Sequence, residues 1–84
     1  MMNRAIEDLK IRVDKQVERY FKAENKSDNI ARTTEQNQAI GALREMINIS
    51  TILCLNDIIS YEASKEITKH IDKALDKIYD YLGV

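Results

Sequence analysis

Proline and tryptophan are absent from this 84-residue chain, and glycine occurs only twice, as Gly41 and Gly83. With so few helix breakers and no dipeptide suited to a tight hairpin turn, the composition favours long helices over a sandwich or barrel. Cysteine occurs once, as Cys54, which excludes an internal disulfide and a cysteine metal cage and points to a reducing cytoplasm. An excess of charge of either sign is lacking too. Thirteen Lys and Arg stand against fourteen Asp and Glu, a formal net charge of −1. The bulk signature of a nucleic-acid coat or a polybasic membrane binder is therefore missing, and only a local patch can act in that way. No long apolar run is present: Ile52 to Leu55 falls far short of a membrane span. Met1-Met2-Asn3-Arg4 leads into a charged helix rather than the apolar core of a signal peptide. No glycine-rich phosphate loop, serine-elbow motif or paired acid and base appears, so the chain reads as no enzyme, with no cofactor or metal.

What is present is helical periodicity over a single domain, residues 1–84. From about residue 4 to 22, Ile6, Leu9, Val13, Val17 and Tyr20 recur at steps of three and four, which puts them on one stripe of a first helix. Glu7, Asp8, Lys10, Arg12, Asp14, Lys15, Glu18 and Arg19 fill its other side as a solvated face of mixed sign. The polar stretch at about 23–32 reads as a hinge. In Thr33-Thr34-Glu35-Gln36, Thr33 is placed to cap a second helix and Gln36 to reach back to it. That helix is expected to run to about Ile58. Its second half places Met46, Ile47, Ile49, Ile52, Leu53, Leu55 and Ile58 nearly all round the axis, and a helix apolar on every side must be covered on every side. The simplest cover in so short a chain is another copy of itself. Gly41, inside this helix, suggests a close backbone approach. Ser60 caps a third helix with Glu62 in its first turn, and Ala63, Ile67, Ile71, Ala74, Ile78 and Leu82 form its seam, with Gly83 as the stop. The short connection predicts an antiparallel helical hairpin over about 34–82, with an additional N-terminal helix. The fold class expected is thus all-α, assembling as a homo-oligomer.

Three constellations carry possible chemistry, each with an ordinary explanation beside it. Lys65, Lys69, Lys73 and Lys77 repeat every four residues as a rail for phosphates, yet Glu62, Glu66, Asp72, Asp76 and Asp80 interleave and can neutralise it within the helix. Glu62, Glu66 and His70 share a helical surface, but the chain has no second histidine and the Glu-x-x-His spacing of di-iron bundles is missing. A half-buried histidine at a core edge accounts for His70, and core burial accounts for Cys54. Tyr79 and Tyr81 cannot both face the seam, so at least one is a surface or interface group, able to stack on a base beside a lysine or to pack at a subunit contact.

The stretch from Thr33 to Ala74 resembles a small helical-hairpin family of phage anti-defence proteins. These are the sponges that sequester cyclic nucleotide signals of bacterial immune systems such as CBASS and Thoeris. The residues that carry the resemblance are Thr33-Thr34-Glu35-Gln36 and Ala42-Leu43-Arg44 on the first arm. Ser60-Tyr61-Glu62-Ala63-Ser64 and Thr68-Lys69 to Ala74 carry it on the second. Tyr61 stands where the family has an arginine after the capping serine, Thr34 where it has a proline, and Asp76-Lys77-Ile78 in its tryptophan-bearing segment. The resemblance implies a cytoplasmic homo-oligomer, a hexamer in form, with pockets between protomers and no bond broken. Its ligand is a cyclic oligonucleotide or cyclic ADP-ribose derivative, with Arg44 meeting phosphate and Ser64, Thr68 and Lys69 lining the second-arm side. Neither a membrane nor a DNA or RNA polymer is expected as a partner. The other reading is a small helical protein-interaction module, such as an immunity protein, an antitoxin or an inhibitor of a defence enzyme, with no small-molecule ligand.

Overall fold

The computed structural model describes residues 2–83, with side chains from residue 4 onward. It is all-helical as expected: α1 spans Met2–Ala23, α2 Asn29–Leu55 and α3 Tyr61–Leu82. α2 runs back along α1, so that Arg19 meets Glu35 and Gln36 donates to the Tyr20 carbonyl at 3.4 Å. α3 then runs back along α2, with Ser64 against Ser50 and Tyr79 against Arg44. α1 and α3 are consequently parallel neighbours, joined by Lys10–Glu66 at 3.4 Å and His70–Asp14 at 2.8 Å. The long axis of 44 Å is set by α2, whose 27 residues rise roughly 40 Å at ~1.5 Å each.

α2 starts earlier than the sequence reading placed it. Its cap is Asp28, not Thr33, and the Asp28 carboxylate accepts from the Ile30 and Ala31 amides at 2.9 and 3.3 Å. A carboxylate outranks a threonine here because it satisfies free amides and meets the positive end of the helix dipole with a full charge. The hinge therefore shrinks to residues 24–28, and Gln36, instead of reaching back to a cap, donates to Glu24 and Tyr20. At the other end α2 stops at Leu55 rather than Ile58. Asp57 takes the left-handed conformation at φ 59, its amide donates to the Cys54 carbonyl at 3.1 Å, and the Ile58 amide donates to Leu53 at 2.9 Å. That pair of bonds is a Schellman closure, which ordinarily carries glycine at the left-handed position. The third helix begins as expected, with Ser60 Oγ accepting from the Ala63 amide at 3.0 Å, and ends at Gly83 with φ 74.

One cluster of buried residues draws on all three helices: Val13 and Tyr20 from α1, Ala39 and Leu43 from α2, and Ile67, Ile71, Ala74, Leu75 and Ile78 from α3. Most of the α3 seam is thus interior, although Leu82 is half out of it, and Cys54 is half-buried. α2 gives the interior little else than Ser50, while Ile49, Ile52, Leu55 and Ile58 stay 45 to 78% exposed. Gly41 does not mark a close approach: a Cβ built there meets nothing within 4 Å.

Glycine thus occupies a helical position that accepts a methyl group, while an aspartate occupies a turn position that favours glycine. Gly41→Ala should raise stability by about 1 kcal/mol through helix propensity. Asp57→Gly should add about 1 kcal/mol by relieving the left-handed strain of an L-residue. Urea melts followed by circular dichroism at a fixed protein concentration test both, and destabilisation by Gly41→Ala would show that something covers that face.

Candidate functional site

The i, i+4 spacing of Lys65, Lys69, Lys73 and Lys77 does not make one rail. Each step of four turns about 40° past a full helical turn, so the row winds around α3 and divides between two grooves. Lys73 and Lys77 line a groove of about 440 Å³ between α1 and α3, with Phe21, His70 and Asp14. There His70 Nε2 lies 2.8 Å from Asp14 Oδ1, and the Lys77 ammonium sits 5.9 Å from the centre of the Phe21 ring. Lys65 and Lys69 line a separate groove of about 450 Å³ with Tyr61, Ser64, Thr68 and Asp72. None of the four lysines is within ion-pair distance of a carboxylate among the described residues. The expected neutralisation within the helix is not formed, because holding two long exposed side chains in one geometry costs about as much entropy as the pair returns.

Of the residues expected to bind ligand, Ser64, Thr68 and Lys69 come together in this second groove and Arg44 does not line it. Lys69 is exposed and Thr68 half-buried. Ser64 is 8% exposed, with Oγ 2.9 Å from Ser50 Oγ. That hydroxyl is therefore engaged between α2 and α3, leaving the ammonium groups, the Thr68 hydroxyl and the Tyr61 ring, 67% exposed, to face a ligand. Arg44 lies instead at the level of Tyr79, where its Nη2 donates to the tyrosine oxygen at 2.6 Å. The expected division of the two tyrosines follows from that contact: Tyr79 is half-buried, and Tyr81 is exposed with its hydroxyl donating to Glu24 Oε2 at 2.9 Å.

Two more features were not singled out by sequence reasoning. One is a groove of about 230 Å³ whose apolar lining includes Leu9, Val13, Met46, Ile49, Leu53 and Ile67. The other, of about 530 Å³, runs along the end of α1 and is lined by Lys15, Glu18, Arg19, Lys22, Ala23, Lys26 and Glu35. Its signal was the three- and four-residue spacing of the α1 cations, hidden among interleaved acids. Among the described residues no group of three His, Cys, Asp or Glu is placed to hold a metal ion. No helix there is long and apolar enough to cross a membrane. Compared with protein-family models, curated proteins and solved structures, the chain has no match in any of the three.

Two carboxylates clamp the end where α1, α2 and α3 meet. The Arg19 guanidinium holds Glu35 below the ordinary carboxylate range, and hydrogen bonds from Gln36 and then Tyr81 lower Glu24 likewise. A carboxyl lowered on folding contributes stability above its unfolded value near 4.5 and loses that contribution as pH falls through the folded value. The melting temperature should therefore fall as pH is taken from 5 toward 3, and less steeply in Glu24→Gln/Glu35→Gln, read by circular dichroism. The buried serine pair makes a second test. Ser50→Ala should cost about 0.5 to 1.5 kcal/mol by removing the hydroxyl–hydroxyl bond, since the Ser64 hydroxyl keeps the residue-50 carbonyl at 3.4 Å, and the Ser50→Ala/Ser64→Ala double variant should cost less than the sum of the singles.

Proposed function

We propose that the chain is a non-catalytic binding protein that acts as a homo-oligomer and sequesters a cyclic nucleotide signal of bacterial anti-phage defence. The observation that carries this reading is the α3 groove, where Lys65, Thr68, Lys69 and the exposed Tyr61 ring lie together. Two ammonium groups and a hydroxyl suit phosphate oxygens, and an exposed aromatic ring suits the face of a base. These residues fall within the stretch that resembles the sponge family, and sequestration requires affinity and stoichiometry rather than a catalytic group.

In this reading α2 and α3 act as the arms of a hairpin that meets the hairpins of other copies. Support comes from Ile49, Ile52, Leu55 and Ile58, left exposed on and just beyond the end of α2, in a segment with no charged residue from Met46 to Asn56. At ~1.5–3 kcal/mol for a fully buried aliphatic side chain, covering eight such partly exposed groups in a symmetric pair returns roughly 7–14 kcal/mol. Association costs ~4–15 kcal/mol, so assembly is sensitive to concentration and to any added contact. Arg44, away from the α3 groove in its own protomer, then serves a pocket by facing a neighbour. The same apolar face favours a second reading, a protein-interaction module whose partner covers α2.

Native mass spectrometry of the protein, alone and with a panel of cyclic di- and trinucleotides and cyclic ADP-ribose isomers, separates the two. Sequestration predicts a closed oligomer that gains a fixed number of one ligand, with at least tenfold weaker binding in Lys69→Ala and in Arg44→Ala. An intact oligomer that ignores the whole panel overturns it. Ile52→Asp/Leu55→Asp should abolish the oligomer while leaving helical content unchanged.

A further inference from the structure

From Arg12 to Lys26 the chain carries five cations and three carboxylates, Asp14, Glu18 and Glu24, and as a sequence it is only mildly basic. Folding separates the signs. Asp14 turns to His70 on α3, and Glu24 turns to Gln36 and Tyr81 at the end of the bundle. Glu35 enters from α2 but is taken up by Arg19, whose Nη2 also donates to Gln38 at 2.6 Å. The groove that remains is walled by Lys15, Lys22 and Lys26 beside the fixed guanidinium, over the small buried Ala23. Glu18 is the one carboxylate there not paired with a cation among the described residues, and the three lysines form no ion pair.

We infer that this groove is a second binding site, independent of the α3 groove, and that its ligand is the phosphodiester backbone of a nucleotide chain. Lys15 and Lys22 are seven residues apart, about 10 Å along the helix, with Arg19 between them, a spacing that spans more than one phosphate. Compact ammonium charges suit phosphate oxygens, and Arg19, anchored by Glu35 and Gln38, gives the row a fixed point. No aromatic side chain lines the groove, so recognition is of the backbone and is indifferent to base sequence. The net charge of −1 argues against a nucleic-acid coat for the molecule as a whole. It does not bear on a groove whose lining sets Lys15, Arg19, Lys22 and Lys26 against only Glu18 and Glu35.

Phosphodiesters come from two sources, a linear strand and a cyclic oligonucleotide, and the test uses both. Fluorescence anisotropy is measured with a labelled 20-nucleotide single strand and with a labelled cyclic dinucleotide, from 50 to 200 mM salt. Three neutralised phosphates predict about a 20-fold loss of strand affinity over that range. Lys15→Gln/Lys22→Gln/Lys26→Gln, all at exposed positions, should reduce binding at least tenfold and flatten the salt dependence, with circular dichroism unchanged. Lys65→Gln/Lys69→Gln is the control. If it removes cyclic dinucleotide binding and leaves strand binding intact, both grooves stand, and the strand is the α1 ligand. If the α1 variant alone removes cyclic dinucleotide binding, the α1 inference stands and the α3 reading fails. Binding of neither probe at 50 mM salt, or equal binding by the triple variant, overturns the inference.

Discussion

Burial of one apolar cluster, in which Tyr20, Leu43, Ile67, Ile71 and Ile78 are almost wholly out of water, is the interaction on which the rest of the molecule depends. A chain of this size has little surface to bury, and with a single cysteine it has no covalent staple of its own. α3 turns seven residues inward, and α2, the longest helix, turns in only Ala39, Leu43 and Ser50. Small residues at Ala39 and Ser50 leave room for the facing side chains of α1 and α3. The cost is that Ile49, Ile52 and Leu55 of α2 stay 45 to 78% exposed.

The parts of this architecture that could be read from sequence are those where one physical effect dominates. The α3 seam, its Ser60 cap and its Gly83 stop were legible because periodicity, capping and glycine agree there. The start of α2 was not, because Asp28 sits in a polar stretch without apolar rhythm, where a good cap and a loop residue look alike. Nor was the surroundings of Gly41: a glycine's spacing says nothing about whether another backbone comes near it. Of the candidate site, the convergence of Lys65 with Thr68 and Lys69 follows from their three- and four-residue spacing on α3. The removal of Ser64 into a pair with Ser50 depends on how two helices meet, and no single-helix pattern holds that information.

Charge was the least legible property. A near-zero total conceals a division made by three contacts, Asp14 with His70, Glu24 with Gln36 and Tyr81, and Glu35 with Arg19. Each is a weak surface interaction, and their value in stability is small. Their larger effect is on where the uncompensated lysines lie. Side chains that add little to folding decide which groove an anion meets.

Because α1 and α3 are parallel, the molecule has two unlike poles. The pole where α1 begins, α2 ends and α3 begins carries the aliphatic face, and the opposite one carries Lys22, Lys26 and the Glu24–Tyr81 and Arg19–Glu35 links. Copies gathered through the aliphatic pole would point Lys22 and Lys26 outward, like spokes from a greasy hub. Such a particle would present the proposed α1 groove many times on one rigid body, and its grip on a long polyanion would rise with each added copy even though no single groove had changed.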